Sequence, residues 1–387
     1  MLAAIIGGRL QGVELACLAH HAGWRTLLVD RKNPVPAYLL CDRFLQLDVR
    51  QASALDDALR DVDLVIPALE DQSALDGLVE WCLDRRVPLA FDPEAYALSR
   101  SKIDSDRLFA SLGIPAPEPW PRCGFPVVAK PSHASGSERV VLLNGPSDAA
   151  AAFPQGFPGH GWVFQQYLQG RSFSLELIGR PGNYVPLQVT QLFMDAVCDC
   201  KAVAAPCRLT AGQIREIETL SVEIAQAIRL TGLMDVEVIL HEGRFKVLEI
   251  DARFPSQTPS CVHASTGCNM FDMLAGLFLS GILPPSGASV ITRGAILEHI
   301  RVTTRAIFVE GEHIMAGAGP LERVPGFFGA DEAITSCREG APVWVATLIV
   351  TAATRQLAVE KRNRVLLAIQ RRFNLEEVVD RGQEYTA

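Results

Sequence analysis

Short apolar runs alternate with helix-period segments over the first hundred residues. LAAII (2–6) is a brief apolar run that ends in glycines. LQGVELACLAHHAG (10–23) carries apolar residues at helical spacing and stops at Gly23, a residue suited to a helix C-cap. WRTLLVD (24–30), DLVIPAL (63–69) and VPLAF (87–91) read as further strands, and ASALDDALRDV (52–62) and ALDGLVEWCLDRR (74–86) as helices between them. Repeated strand–helix–strand order predicts an α/β unit built on a parallel, doubly wound sheet.

The pattern changes beyond the helical stretch 96–112, which ends in the proline-rich GIPAPEPWP. FPVVAKPSHASGSERVVLL (125–143) predicts strand, polar glycine loop, strand. Residues 161–193 predict successive strands joined by glycine turns, hence antiparallel. A long amphipathic helix follows over 210–232, then a β-hairpin over 233–251 turning around His241–Arg244. SGILPPSGAS (280–289) marks another joint, and the tail from Thr292 is mixed.

Composition narrows the class. The chain has 387 residues, of which 49% are hydrophobic and 21% charged, so it can bury a substantial core and is not disordered. A net charge of −8 argues against binding driven by a nucleic-acid backbone. The longest apolar stretch, from Val343, is shorter than the roughly 20 residues a spanning helix needs, and the run Leu2–Ile6 breaks at Gly7. The expectation is a cytoplasmic protein without a leader or a membrane span. The ten cysteines show no C-x-x-C pair, so reduced thiols are expected in preference to a zinc site at Cys198, Cys200 and Cys207.

The chemistry concentrates in the hairpin. Side chains two apart on a strand share a face, so Asp235 pairs in orientation with Glu237, and Glu249 with Asp251. A three-residue loop, Glu242-Gly243-Arg244, would set position 237 opposite 249 and 235 opposite 251, with Val236, Val238, Leu248 and Ile250 facing a core. Like charges across a ladder repel, so such a face calls for a cation, and an oxygen-only donor set suits Mg²⁺. The alternative is a solvated outer face. Arg253, two residues beyond Asp251, could hold a phosphoryl oxygen or a carboxylate.

Upstream, Lys130 ends an apolar strand before the loop PSHASGSE, whose backbone N–H groups could meet phosphate oxygens, and Lys102 precedes the proline-rich joint. GGRLQG places glycines between a strand and a helix, with Asp30 at the end of the next strand. That arrangement would suit an anion or a ribose, although G-G-x-x-x-G is not the dinucleotide fingerprint, and a plain tight turn accounts for it as well.

Together, IIGGRLQGVE, LLVDRKNP, FDPEAYALSRSK, LMDVEVI, VLEIDARFPSQTPS and, more weakly, ILEHI resemble the ATP-grasp ligases. More narrowly they resemble the pyrrolysine-biosynthesis ligases that join 3-methyl-D-ornithine to L-lysine. The resemblance implies an ATP-grasp fold with an N-terminal Rossmann-like parallel-sheet domain (1–100), a central lid domain (101–168) and a C-terminal domain carrying the metal hairpin (169–387). It implies ATP and Mg²⁺ as cofactors and small molecules, L-lysine and 3-methyl-D-ornithine, as partners, and is compatible with a homodimer.

By the same resemblance, Lys102 and Lys130 meet nucleotide phosphates under a lid containing Ser135, Gly136 and Ser137, and Gln165, Gln166, Tyr167 and Leu168 form the adenine hinge. Glu237, Glu249 and Asp251 hold metal, and Arg253 steadies the reacting phosphate. Leu10, Gln11 and Glu70 cradle lysine, and Asp235, Ser256 and Glu298 lie near the ornithine-like substrate. Arg9, Asp30, Asp48 and Val49 form a further nucleotide contact. Gln165 and Gln166 stand where acidic hinge residues are expected, Arg9 stands for a lysine, and Asp251 replaces the superfamily's Asn, as it does in the narrower group. A ligase for another amino-acid pair and an NAD-dependent dehydrogenase are the competing readings; the second leaves the carboxylate hairpin and Lys130 without a task.

Overall fold

The computed structural model describes every residue except Ser135, Ser137, Glu138, 284–291, Glu384, Thr386 and Ala387. The N-terminal part runs β1 (Leu2–Ile6), α1 (Leu10–His21), β2 (Arg25–Asp30), β3 (Arg43–Gln46), α2 (Ala52–Ala58), β4 (Leu64–Pro67) and α3 (Gln72–Arg85). Its sheet has the order β3-β2-β1-β4 and every pairing is parallel, as the alternating pattern implies. Strand β3 replaces the strand expected at 87–91, which contributes only a bridge between Val65 and Leu89. α3 is capped by Asp71, whose carboxylate accepts from Ala74 N at 2.9 Å.

The helix expected over 96–112 is two helices, α4 (Pro93–Ser99) and α5 (Lys102–Leu112). The break is chemical: the Ser101 hydroxyl accepts from Asp104 N and starts α5, which puts Lys102 in its first turn. A three-stranded antiparallel sheet follows, from β5 (Val127–Pro131), β6 (Val141–Leu143), α6 (Pro146–Ala152) and β7 (Trp162–Gln166). Phe153, Phe157, Trp162 and Phe164 pack on one side of it.

The remainder builds one large sheet. It comprises β8 (Arg171–Arg180), β9 (Asn183–Pro186), β10 (Thr190–Met194) and β11 (Cys200–Ala205), then α7 (Ala211–Ala227), β12 (Gly232–His241), β13 (Arg244–Asp251), α8 (Thr258–Thr266) and α9 (Met270–Ser280). Next come β14 (Gly294–Val302), β15 (Ala306–Val309), α10 (His313–Ala316), β16 (Glu322–Pro325), β17 (Glu332–Thr335), β18 (Trp344–Ala352), α11 (Arg355–Phe373) and β19 (Glu377–Asp380). The strand order is β13-β12-β8-β10-β11-β14-β18-β17-β16, with β9, β15 and β19 paired off that path. Helix α7 packs Ile217 and Ile224 on the face carrying Leu175, Val236 and Ile250. Helices α8 and α9 cover the other face, toward the N-terminal sheet. No helix among the described residues is long and apolar enough to cross a membrane.

Strand β14 decides one expected site residue. Ala295 and Leu297 point to α8, whereas Ile296 points to Ala358 of α11. By the two-residue period Glu298 faces α11. There it accepts from Arg362 Nε at 2.9 Å and from the Tyr385 hydroxyl, fully buried. Glu298 therefore lies on the face opposite Glu237 and does not join the carboxylates there; it is one half of a buried ion pair that ties α11 to the sheet. Arg362→Met would leave that carboxylate buried without its cation and should cost about 3–5 kcal/mol in denaturant titration. Adding Glu298→Gln should restore part of the loss, because the stranded charge is then gone.

Candidate functional site

The hairpin pairs the carboxylates as expected, but by a different route. His241 pairs with Arg244 across a two-residue turn, Glu242-Gly243, with both residues at positive φ (50° and 78°). The register then shifts between Glu237 and Val238, so that Val238 faces Val247 while Glu237 faces Glu249 and Asp235 faces Asp251. Leu248 is the additional residue, and Val247, not Leu248, packs in the core with Phe245 and Ile250. Phe245, Val247, Glu249 and Asp251 share one parity, so a regular strand would point the acids into the same core. The bulge turns them out of it.

The next strand extends the pattern. Asp235 pairs with Glu176 of β8 and Glu237 with Ser174, so a row of Asp251, Asp235 and Glu176 lies beside a row of Glu249, Glu237 and Ser174. Glu176 is fully buried and accepts from the Ser174 hydroxyl at 2.8 Å. The sequence reading missed it because β8 shows a single acid in an apolar strand; only sheet order brings it beside Asp235.

Burial and crowding push four of these acids, Glu237, Asp251, Asp235 and Glu176, toward their neutral forms. Glu237 is raised to about 7 by burial, then by Glu249 and Asp251, with Lys130 and Lys102 opposing. Asp251 is raised to about 6, chiefly by burial, with Arg253 opposing. Asp235 and Glu176 are raised by burial above all. Asp235 Oδ1 has no hydrogen-bond partner among the described residues. An all-oxygen donor set with an orphaned buried oxygen suits a hard divalent cation or an ammonium group.

Two lysines approach this face. Lys102 pairs with Glu249 and donates to Ala134 O at 2.7 Å, and Lys130 Nζ donates to Leu248 O at 3.4 Å. Burial pulls Lys130 below the usual lysine range, and Glu249 opposes it. Of the expected hinge, Gln165 and Leu168 are buried, Tyr167 N donates to Pro126 O, and Gln166 is held by Lys246 at 2.8 Å. Of the expected lid, Gly136 is exposed and reaches the cleft wall, whereas Ser135 and Ser137 lie outside the described residues.

A cleft of about 620 Å³ lies between the N-terminal sheet and the segment just beyond β13, at Arg253 and Ser256. Arg253 joins the two sides: its Nη2 meets Asp251 at 2.9 Å and Glu70 at 3.1 Å. Gln11 Nε2 donates to Glu70 at 3.1 Å, and Leu10 begins α1, which has no side-chain cap, so its first-turn N–H groups can take an anion. Arg9, Asp30, Asp48 and Val49 line the far end. Asp30 accepts from Gly8 N and Lys32 N at 2.8 Å, and the Arg50 side chain holds Asp48 down at about 2. Gly7 has φ +109° and packs against Ala68, leaving no room for a side chain.

The cleft also holds a carboxylate that sequence reasoning passed over. Glu312 lines the wall and accepts from the Ser256 hydroxyl at 2.8 Å. Burial raises its pKa, opposed by Ser256 and Gln257. Gln257 adopts φ +67°, a strained backbone that orients this corner. No local pattern flags Glu312: it lies in the short segment GEHIM, far from the hairpin in sequence.

Glu237 binds a proton in the folded protein over a range, from its ordinary 4.5 to about 7, where the unfolded chain has lost it. Its contribution to stability is thus full at low pH and lost as pH rises through about 7. In metal-free buffer Glu237→Gln should be more stable than the parent near about pH 8, and the gap should shrink toward about pH 5 in denaturant titrations. A gap that widens on acidification would contradict the assigned sign.

The ATP-grasp domain family matches residues 100–257. The 3-methyl-D-ornithine–L-lysine ligase of Methanosarcina mazei is 31% identical over 379 residues, covering 95% of this chain and 95% of that protein. The ligase of the same name from Methanosarcina acetivorans is 30% identical over 380 residues, covering 95% and 98%. The solved biotin carboxylase–β-γ-ATP complex from Campylobacter jejuni shares the fold, with a TM-score of 0.70 at 15% identity over 93% of this chain and 89% of that one.

Proposed function

Because the chain belongs to the ATP-grasp family of 3-methyl-D-ornithine–L-lysine ligases, we propose that it joins the carboxylate of 3-methyl-D-ornithine to the ε-amine of L-lysine at the expense of ATP. The observation that carries this reading is the carboxylate face of β8, β12 and β13, approached by Lys102 and Lys130 and bridged by Arg253 to Glu70.

ATP binds along β7 and the 165–168 hinge, with its phosphates near Lys102, Lys130 and the loop around Gly136. Glu237, Glu249 and Asp251 would hold Mg²⁺, and the raised pKa of Glu237 and Asp251 supports a site that awaits positive charge. When bound, the metal neutralises charge on the phosphoryl oxygens. Lys102 then gives up its pairing with Glu249 for phosphate. The substrate carboxylate attacks the γ-phosphorus. An O–P bond forms, the β–γ bridging bond breaks, and ADP leaves. Lys130 and Arg253 steady the phosphoryl oxygens. The neutral amine attacks the acyl carbon, the C–O bond to phosphate breaks, and the proton the amine loses passes to the departing phosphate, leaving an amide.

The two amino acids need separate cation-binding acids. Glu70 and Gln11, beside the open start of α1, suit lysine: Glu70 takes an ammonium and the N–H groups near Leu10 take the carboxylate. Because Asp71 caps α3, Glu70 is not spent as a cap. Asp235, Glu176 and Glu312, with Ser256, suit the ammonium groups of the ornithine-like substrate. Glu312 takes the place first assigned to Glu298. The far end, with Arg9, Asp30, Asp48 and Val49, is a further nucleotide contact in this reading. The three-domain division at 100 and 168 follows the same scheme.

Purified protein should release ADP at full rate only with Mg²⁺ and both amino acids present, with the amide product identified by mass spectrometry. Equal turnover in EDTA would overturn the reading, and a better amino-acid pair in the same screen would redirect it to another ligase. Glu70→Gln should raise the lysine KM about tenfold, the worth of a charge-assisted hydrogen bond, with the ATP KM unchanged. A fall in melting temperature with unaltered lysine kinetics would remove Glu70 from the lysine pocket.

A further inference from the structure

The segment that carries Glu312 is anchored from one place. Asp195 and Asp199 lie in the turn between β10 and β11. Asp195 Oδ1 accepts from Val197 N at 2.9 Å and Asp199 N at 3.0 Å, which closes the turn on itself, and its Oδ2 accepts from Gly311 N at 3.1 Å. Glu312 N donates to Cys200 O at 3.1 Å. Asp199 Oδ2 accepts from His313 N at 3.1 Å and His313 Nδ1 at 2.5 Å. Three consecutive backbone N–H groups, at 311, 312 and 313, are therefore all received by residues 195–200. A Cβ on Gly311 would overlap the Asp199 carboxylate, so the two segments are in direct contact.

Surface loops commonly satisfy such groups with water or with their own backbone. Here two carboxylates are committed to them, one on Asp199, which is only 5% exposed. Asp195, Asp199 and His313 are also spaced closely enough for a metal ion. However, both oxygens of Asp195 and Oδ2 of Asp199 already accept hydrogen bonds, so anchoring accounts for the arrangement. The middle residue of the anchored triplet, Glu312, sends its side chain into the cleft toward Ser256. A recognition carboxylate works only if its backbone holds it within a fraction of an ångström, and this backbone is held at three successive N–H groups.

We propose that Asp199, backed by Asp195, is a positioning residue that sets Glu312 for recognition of the ammonium group of the ornithine-like substrate. The inference rests on the amino-acid ligase reading above and extends it to residues that touch no substrate.

The test measures the KM of each amino acid and of ATP in Asp199→Ala, Asp199→Asn and Gly311→Ala. Asp199→Ala should raise the KM of the ornithine-like amino acid about tenfold while the ATP KM stays put. Asp199→Asn keeps an oxygen for the His313 N–H and should recover most of that loss. Gly311→Ala pushes the same segment off Asp199 without removing a charge and should reproduce the selective KM rise, which keeps the test decisive if Asp199→Ala does not fold. In a Glu312→Gln background Asp199→Ala should add little, because the two act through one contact. A Gly311→Ala protein that matches the parent in every constant, or losses from Asp199→Ala and Glu312→Gln that simply add, would overturn the proposal. A parent protein that ligates no amino-acid pair would overturn the ligase reading and this inference with it. A parent that ligates beside variants that do not discriminate substrates would overturn the inference alone.

Discussion

The site is organised around like charge held out of water. Asp251, Asp235 and Glu176 stand in one row across three adjacent strands, with Glu249 and Glu237 in the row beside them. Neighbouring carboxylates on one sheet face repel, and burial raises the cost of each ionised form. The surrounding features answer that cost. Lys102 comes from the first turn of α5, Lys130 from the end of β5 and Arg253 from just beyond β13, so cations converge from three directions. What remains uncompensated, such as the orphaned Asp235 Oδ1, is what a cationic ligand would satisfy.

The bulge at Leu248 makes this face possible without giving up the core. On β13 the apolar Phe245 and Val247 and the acidic Glu249 and Asp251 fall on the same parity. One inserted residue lets the first pair pack with Ile217 and Ile224 of α7 and the second pair turn to the opposite side. The two-residue turn at Glu242-Gly243 and the bulge work together: the turn sets the register near the loop, and the bulge resets it before the acids.

The large sheet also separates two kinds of buried acid. Glu298 is fully buried and Glu312 partly buried, and both lie in the last third of the chain. Glu298 projects toward α11 and is neutralised within the fold by Arg362. Glu312 leaves an anchored loop and, among the described residues, is hydrogen-bonded by a hydroxyl and an amide, Ser256 and Gln257, with the Arg253 charge acting on it without an ion pair. An acid whose counter-charge is built in as an ion pair serves stability, whereas one hydrogen-bonded by neutral groups retains its attraction for a further cation.

Local periodicity was enough to determine much of this protein. The two-residue repeat puts Asp235 with Glu237 and Glu249 with Asp251, and the strand–helix alternation of the first hundred residues yields the parallel sheet, because both depend only on the geometry of a few consecutive residues. The run VLEIDARFPSQTPS was legible as a family signature for the same reason: its chemistry is contiguous. Sheet order, loop anchoring and strand facing are not local quantities. Glu176 joins the acids because β8 pairs with β12, Glu312 stands at the cleft on a loop bonded to residues 195–200, and Glu298 is turned to the side of β14 that α11 covers. In each case the deciding partner lies far away along the chain, so its influence exists only once the tertiary structure has formed.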